Sequence, residues 1–223
     1  MEGRIIRLLV FLAAIACAQA AGWDTLTGCR LKESEWNDGD SFHVVQGGKE
    51  YIFRLCYVDT PETKAHKELT KRTTEQARYW KIRKKDMFPL AAEAAAYTKD
   101  LLASGFTVKT QWEDAKGESR LPRYFGVIIT SQGDLAELLV SKGYARVYGF
   151  SPDYPGGTSA DRYKDKLKSL EDKAREKEMG AWAYSKSAAQ PAVKSAESPV
   201  KKKEKPAATP AEKTSGLSEI PAF

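Results

Sequence analysis

Asp38 and Asp40 stand just before a run of strand-forming residues, and Asp59 and Glu62 stand just after a second such run. Arg54 lies inside the second run, among Ile52, Phe53, Leu55, Cys56 and Val58. The two runs, 41–45 and 50–58, are separated by Gln46-Gly47-Gly48-Lys49, a pattern that predicts a β-hairpin. A hairpin brings its two ends together, so acids far apart in the chain become neighbours in space. Carboxylates gathered beside a strand arginine make a poor core. They are suited instead to holding a cation and a phosphate.

Such residues need a frame. A lead-in strand is predicted around 30–35, before the hairpin. The stretch 64–87 is long and basic, with Tyr79, Trp80 and Ile82 as its apolar bulk, and reads as a loop or a loop carrying a short helix. Pro89 then opens a helix over 90–104, with Gly105 placed to end it. Strands follow at 106–112 and 124–130, and a short helix at 134–142 ends at Gly143. A brief extended piece at 145–148 precedes a last helix over 159–179, stopped by Gly180. Its apolar stripe is Tyr163, Leu167, Leu170 and Ala174. Five principal strands with three helices between and after them predict an α+β fold, a five-stranded OB-fold β-barrel.

Composition adds context. The net charge of +6 and pI near 9.0 favour an acidic partner such as nucleic acid, anionic lipid or a wall polymer. Arg4 and Arg7, the apolar run 8–16 and Ala18-Gln19-Ala20 form the pattern of a signal peptide over 1–20. That run is too short to span a bilayer, and a secreted or periplasmic protein without a membrane span is expected. Lipid attachment at Cys17 is the competing reading, disfavoured by Ala14 where leucine is usual. Cys29 and Cys56 remain after cleavage, and either a disulfide or two buried thiols suits them. With only His43 and His66, a zinc site built on His and Cys is not expected. Residues 21–184 are expected to form the barrel domain, and 185–223, rich in Ala, Lys, Pro and Ser, a disordered tail.

The string Asp38-Gly39-Asp40-Ser41, the segment Phe53-Arg54-Leu55 running into Val58-Asp59-Thr60-Pro61-Glu62-Thr63, and the later Arg123 together resemble the staphylococcal-nuclease (thermonuclease) family. The likeness extends through Gly143-Tyr144-Ala145 to Gly180-Ala181-Trp182. It implies a calcium-dependent hydrolase of DNA and RNA phosphodiesters that leaves 3′-phosphates. Single-stranded or frayed substrate and a monomeric enzyme are expected with it. The resemblance assigns Asp40, Asp59 and the Thr60 carbonyl to calcium, Glu62 to the attacking water, and Arg54 and Arg123 to the phosphate. Asp38 matches a neighbouring acidic position. Pro122 stands where the family has glycine beside its second arginine, so Arg120 is the alternative contact to substrate. Tyr148 and Tyr154 only loosely echo the family's nucleotide-stacking tyrosines.

Chemistry agrees with these roles. Calcium takes carboxylate and carbonyl oxygens and leaves room for water. Planar, permanently charged guanidinium groups suit the oxygens of a phosphodiester under attack. The alternative is a barrel that binds nucleic acid or another polyanion without cutting it. Glu93 reads as an ordinary helix residue.

Overall fold

The computed structural model describes residues 22–63, 69–117 and 119–189. The signal peptide expected over 1–20, Cys17, His66 and the chain from 190 onward lie outside those residues.

Strand β1 (Asp24–Leu31) is followed by β2 (Ser41–Gln46) and β3 (Lys49–Leu55). The hairpin turns at Gly47 and Gly48, whose φ values of 57° and 80° give the left-handed turn that matches strand twist. After the short β4 (Val58–Asp59) come helices α1 (Leu69–Trp80) and α2 (Met87–Leu102). Next are β5 (Phe106–Asp114), β6 (Arg123–Thr130), β7 (Gly133–Asp134) and α3 (Leu135–Ser141). The chain continues through β8 (Arg146–Val147), α4 (Ala160–Glu176) and α5 (Ala181–Ala189).

The barrel closes because β3 has two neighbours. It pairs with β2 antiparallel, Ser41 opposite Arg54, and with β6 parallel, Ile52 beside Arg123. β6 pairs with β5, β5 with β1, and β1 with β2, all antiparallel, which completes a five-stranded ring. Alternation sends Phe42 and Val44 of β2, and Phe53 and Leu55 of β3, into the interior with Val108 and Val127. Leu135 and Leu139 of α3 and Leu167 of α4 extend that core.

A second core lies elsewhere: Ala77 and Trp80 of α1 pack with Met87 and Leu90 of α2, Ala174 of α4, and Ala181 and Trp182 of α5. It seats α1 independently of the barrel. Beside the barrel core, to which Val58 and Val147 contribute, β4 and β8 form a small antiparallel ribbon with Asp59 opposite Arg146.

The fold is the α+β OB-type barrel expected, but with five α-helices among the described residues rather than three. α1 is the helix that the reading of 64–87 leaves open; its pattern is faint because its charge is high and, among its side chains whose burial is described, the buried ones are Ala77, Trp80 and the polar Gln76. α5 follows directly after Gly180, and its helix carries through Ser185, where a tail was expected to begin. The first strand also begins six residues earlier than expected, at Asp24. Cys29 and Cys56 are buried free thiols, so no disulfide joins them.

Candidate active site

The acidic cluster forms where the open end of the β2–β3 hairpin meets the β4–β8 ribbon and α1. Asp38 makes the turn into β2: its Oδ1 accepts from the backbone N–H of Asp40 at 3.0 Å and of Ser41 at 2.6 Å. This turn aims Asp40 inward, where it is fully buried. Gly39 is needed at the bend, because a Cβ there would lie 2.8 Å from Thr60 Oγ1. Asp40 Oδ2 in turn accepts from the Thr60 backbone N–H at 2.8 Å, which locks the two ends of the hairpin together.

Arg54 projects from β3 between the aspartates and donates through Nη2 to Asp40 Oδ2 (3.2 Å) and Asp59 Oδ1 (3.1 Å). Asp59, also fully buried, is the hub of the cluster. Its Oδ1 also accepts from Arg72, and its Oδ2 accepts from Gln76 Nε2 and Arg146 Nε, each at 2.8 Å. Arg72 Nη1 lies 2.5 Å from Glu62 Oε1, too poorly aligned for a hydrogen bond, and its Nη2 is 3.9 Å from Asp40 Oδ2. Gln76 Nε2 is shared with the Thr60 carbonyl, again at 2.8 Å.

Charge explains the titration of these groups. Burial alone would raise the Asp59 carboxyl, but the guanidinium groups of Arg72, Arg54 and Arg146 outweigh it and hold the carboxyl below its usual range. Burial and the nearby Asp40 push Glu62 up. Burial, with Asp40 and Glu62 close by, pushes Asp38 well above the carboxylate range. For Arg54, burial opposes the charge, yet Asp40 and Asp59 leave it more firmly protonated than free arginine.

Arg123 enters from the start of β6. Its Nη1 lies 3.5 Å from Ser41 Oγ, and its Nη2 donates to the carbonyls of Ala115 (3.4 Å) and Lys116. Burial and the neighbouring Arg54 lower its affinity for its proton, while its buried Nε has no hydrogen-bond partner. The structure therefore brings Asp38, Asp40, Arg54, Asp59, Thr60, Glu62 and Arg123 to one place despite Pro122. Arg120 sits exposed on the loop before β6. Tyr148 is 57% exposed, with the Arg146 guanidinium 4.3 Å from its ring centroid, so it borders the cluster. Tyr154 does not: its hydroxyl donates to Asp134 Oδ2 at 2.9 Å and its ring stacks on Tyr163. Glu93 accepts from the Tyr184 hydroxyl at 2.6 Å, joining α2 to α5.

Three contributors were missed from the sequence: Arg72, Gln76 and Arg146. Arg72 and Gln76 are four residues apart on α1 and so share a face, a signal that is readable only once the helix bounds within 64–87 are known. Arg146 follows the Gly-Tyr-Ala motif, and only the β4–β8 register sets it against Asp59.

The oxygens present are of the kind calcium prefers, and buried Asp40 Oδ1 has no partner. The arrangement nevertheless does not fit the ion. Both oxygens of Asp59 and the Thr60 carbonyl already accept N–H donors. Among the described residues no three His, Cys, Asp or Glu side chains converge as metal ligands.

A family model described as Staphylococcal nuclease homologue matches residues 52–184. Endonuclease YncB of Bacillus subtilis (strain 168) is 27% identical over 151 residues, which are 66% of this chain and 59% of that protein. The chain thus spans less than two thirds of that relative's length. Asp38 and Asp40 precede the matched segment, and β2–β3 pairing is what sets them against it.

Proposed function

The chain belongs to the staphylococcal nuclease homologue family, and from that premise we propose that it hydrolyses phosphodiester bonds of DNA and RNA. The observation that carries the reading is the convergence of Arg54, Arg123 and Glu62 at the mouth of one barrel, within electrostatic reach of one another. Two guanidinium groups can hold the non-bridging oxygens of a phosphodiester as negative charge builds on them. Glu62, raised by burial and Asp40, is placed to accept a proton from an attacking water. Water then bonds to phosphorus, the bond to the 5′-oxygen breaks, that oxygen leaves with a proton from solvent, and a 3′-phosphate remains. The partly exposed Tyr148 and the basic overall charge suit a single-stranded or frayed substrate.

The proposal includes the family's metal dependence, with calcium as the ion: Asp40, Asp59 and Glu62 offer oxygen donors, and the N–H donors that now occupy Asp59 and the Thr60 carbonyl must move aside for the ion to bind. Export rests on the signal-like pattern of residues 1–20. No helix among the described residues is long and apolar enough to cross a membrane. A second reading, a barrel that binds nucleic acid without cutting it, is favoured by the saturation of Asp59.

Incubation of the purified protein with single-stranded DNA, with calcium and with a chelator, separates the two. Cleavage that needs calcium and is lost in Glu62→Gln and Arg54→Ala is expected. Binding without cleavage favours the second reading, and cleavage unchanged in both variants would overturn the roles given to Glu62 and Arg54.

A further inference from the structure

We infer that Arg72 is the resident cation of the acidic pocket and sets this chain's affinity for calcium, because the ion must displace it. The choice of ion rests on the nuclease reading above. The observation itself is independent of that reading: one guanidinium reaches three carboxylates. Arg72 bonds Asp59 Oδ1, lies 2.5 Å from Glu62 Oε1, and comes within 3.9 Å of Asp40 Oδ2.

One helical turn further on, Gln76 takes Asp59 Oδ2 and the Thr60 carbonyl. Helix α1 therefore occupies the lone pairs of two of the three groups that the family resemblance gives to calcium. Asp40 Oδ1, buried and without a partner, shows that the guanidinium does not satisfy every oxygen. A planar fork serves the oxygens in its own plane, whereas a spherical ion could draw on all of them.

Arginine does not give up its proton in a protein, so only displacement of the side chain or of its helix frees the site. The helix is well seated. Trp80 is fully buried in the second core, and the Tyr79 hydroxyl donates to Glu171 of α4 at 2.7 Å. Arg72 is thus delivered by a packed element, and its removal has a cost that calcium binding must offset.

The alternative role for Arg72 is a third phosphate clamp, and the two roles differ without any cleavage assay. Calcium chloride is titrated calorimetrically into the full chain and into Arg72→Met, which keeps the bulk and removes the charge. The variant is expected to bind about tenfold more tightly or better, since a like charge at contact distance has gone. In the unsubstituted protein, calcium is expected to speed amide hydrogen exchange across residues 69–80, a readout that does not depend on the variant folding. Equal calcium affinities, no binding by either protein, or binding that leaves exchange in 69–80 unchanged each overturn the inference. Unchanged calcium affinity with weaker binding of single-stranded DNA by Arg72→Met assigns the residue to the clamp instead. Cleavage by the unsubstituted protein beside Arg54→Ala reports separately on the nuclease reading.

Discussion

The two arginines proposed to clamp the phosphate sit in opposite surroundings. Arg54 is wedged between Asp40 and Asp59, both fully buried, and its charge is balanced within the protein. Among the described residues Arg123 hydrogen-bonds main-chain carbonyls and a serine hydroxyl, keeps one buried N–H without a partner, and has Arg54 for a neighbour. The first arginine is held in place by counter-charges, so replacing it disturbs the fold and the chemistry together. The second is under-compensated and ready for an anion. A barrel end can thus separate the task of organising a site from the task of attracting its ligand.

Removing the hub should break the organised side most severely. Asp59→Ala leaves Arg54, Arg72 and Arg146 facing each other without their common carboxylate. Losing one partner of a buried ion pair costs about 3–5 kcal/mol, which urea denaturation should show. Arg123→Ala should test the other side. Stability should change by less than about 1 kcal/mol, while cleavage of single-stranded DNA falls by about 10²–10³-fold, as for loss of one donor to a developing oxyanion. A loss of stability in Arg123→Ala equal to that of Asp59→Ala would erase the distinction.

The pH dependence sharpens it. Asp59 is held low, so the stability it brings is full at neutral pH and is lost as pH falls below the usual carboxylate range. Asp38 is raised, so it behaves in the opposite way: the protein loses stability as pH climbs from the usual carboxylate value through the raised one. Asp38→Asn keeps an oxygen for the two turn N–H groups. It should therefore be more stable than the unsubstituted protein at neutral pH and lose that advantage in acid, as followed by melting temperature across pH. A smaller effect is expected at the rim. Tyr148→Ala loses the ring under Arg146, worth about 0.5–1 kcal/mol at an exposed site, and should raise KM more than it lowers kcat. Arg120→Ala should change cleavage the least, since an exposed charge of this kind contributes little.

The organised side was the more legible in the sequence, and for a physical reason. Asp38, Asp40, Arg54, Asp59 and Glu62 are bracketed by one hairpin, and period-two alternation with a Gly-Gly turn is enough to predict that their ends meet. The barrel followed from the same periodicity in 106–112 and 124–130. Arg123 could be placed by resemblance alone, because a parallel β3–β6 pairing leaves no local trace in the chain. A helix within 64–87 is one of two readings of the sequence, which does not show the bounds of α1. Its inward face is Arg72, Gln76, Ala77 and Trp80, and a hydrophobic pattern cannot register a face whose burial is largely polar. Arg146 carries no local signal of its role, because only the ribbon register sets it on Asp59.

Asp59 also has a place in time. Its donors lie 5, 13, 17 and 87 residues away along the chain, and each must arrive before the carboxylate is fully satisfied. Closing the longest of those loops is the slowest to be rewarded, so the pocket should be completed late in folding. Asp59→Ala should accordingly speed unfolding while leaving the refolding rate nearly unchanged in stopped-flow experiments. A chain still emerging from synthesis, with Arg146 not yet in place, would carry the barrel strands and every acid of the cluster but not the finished site.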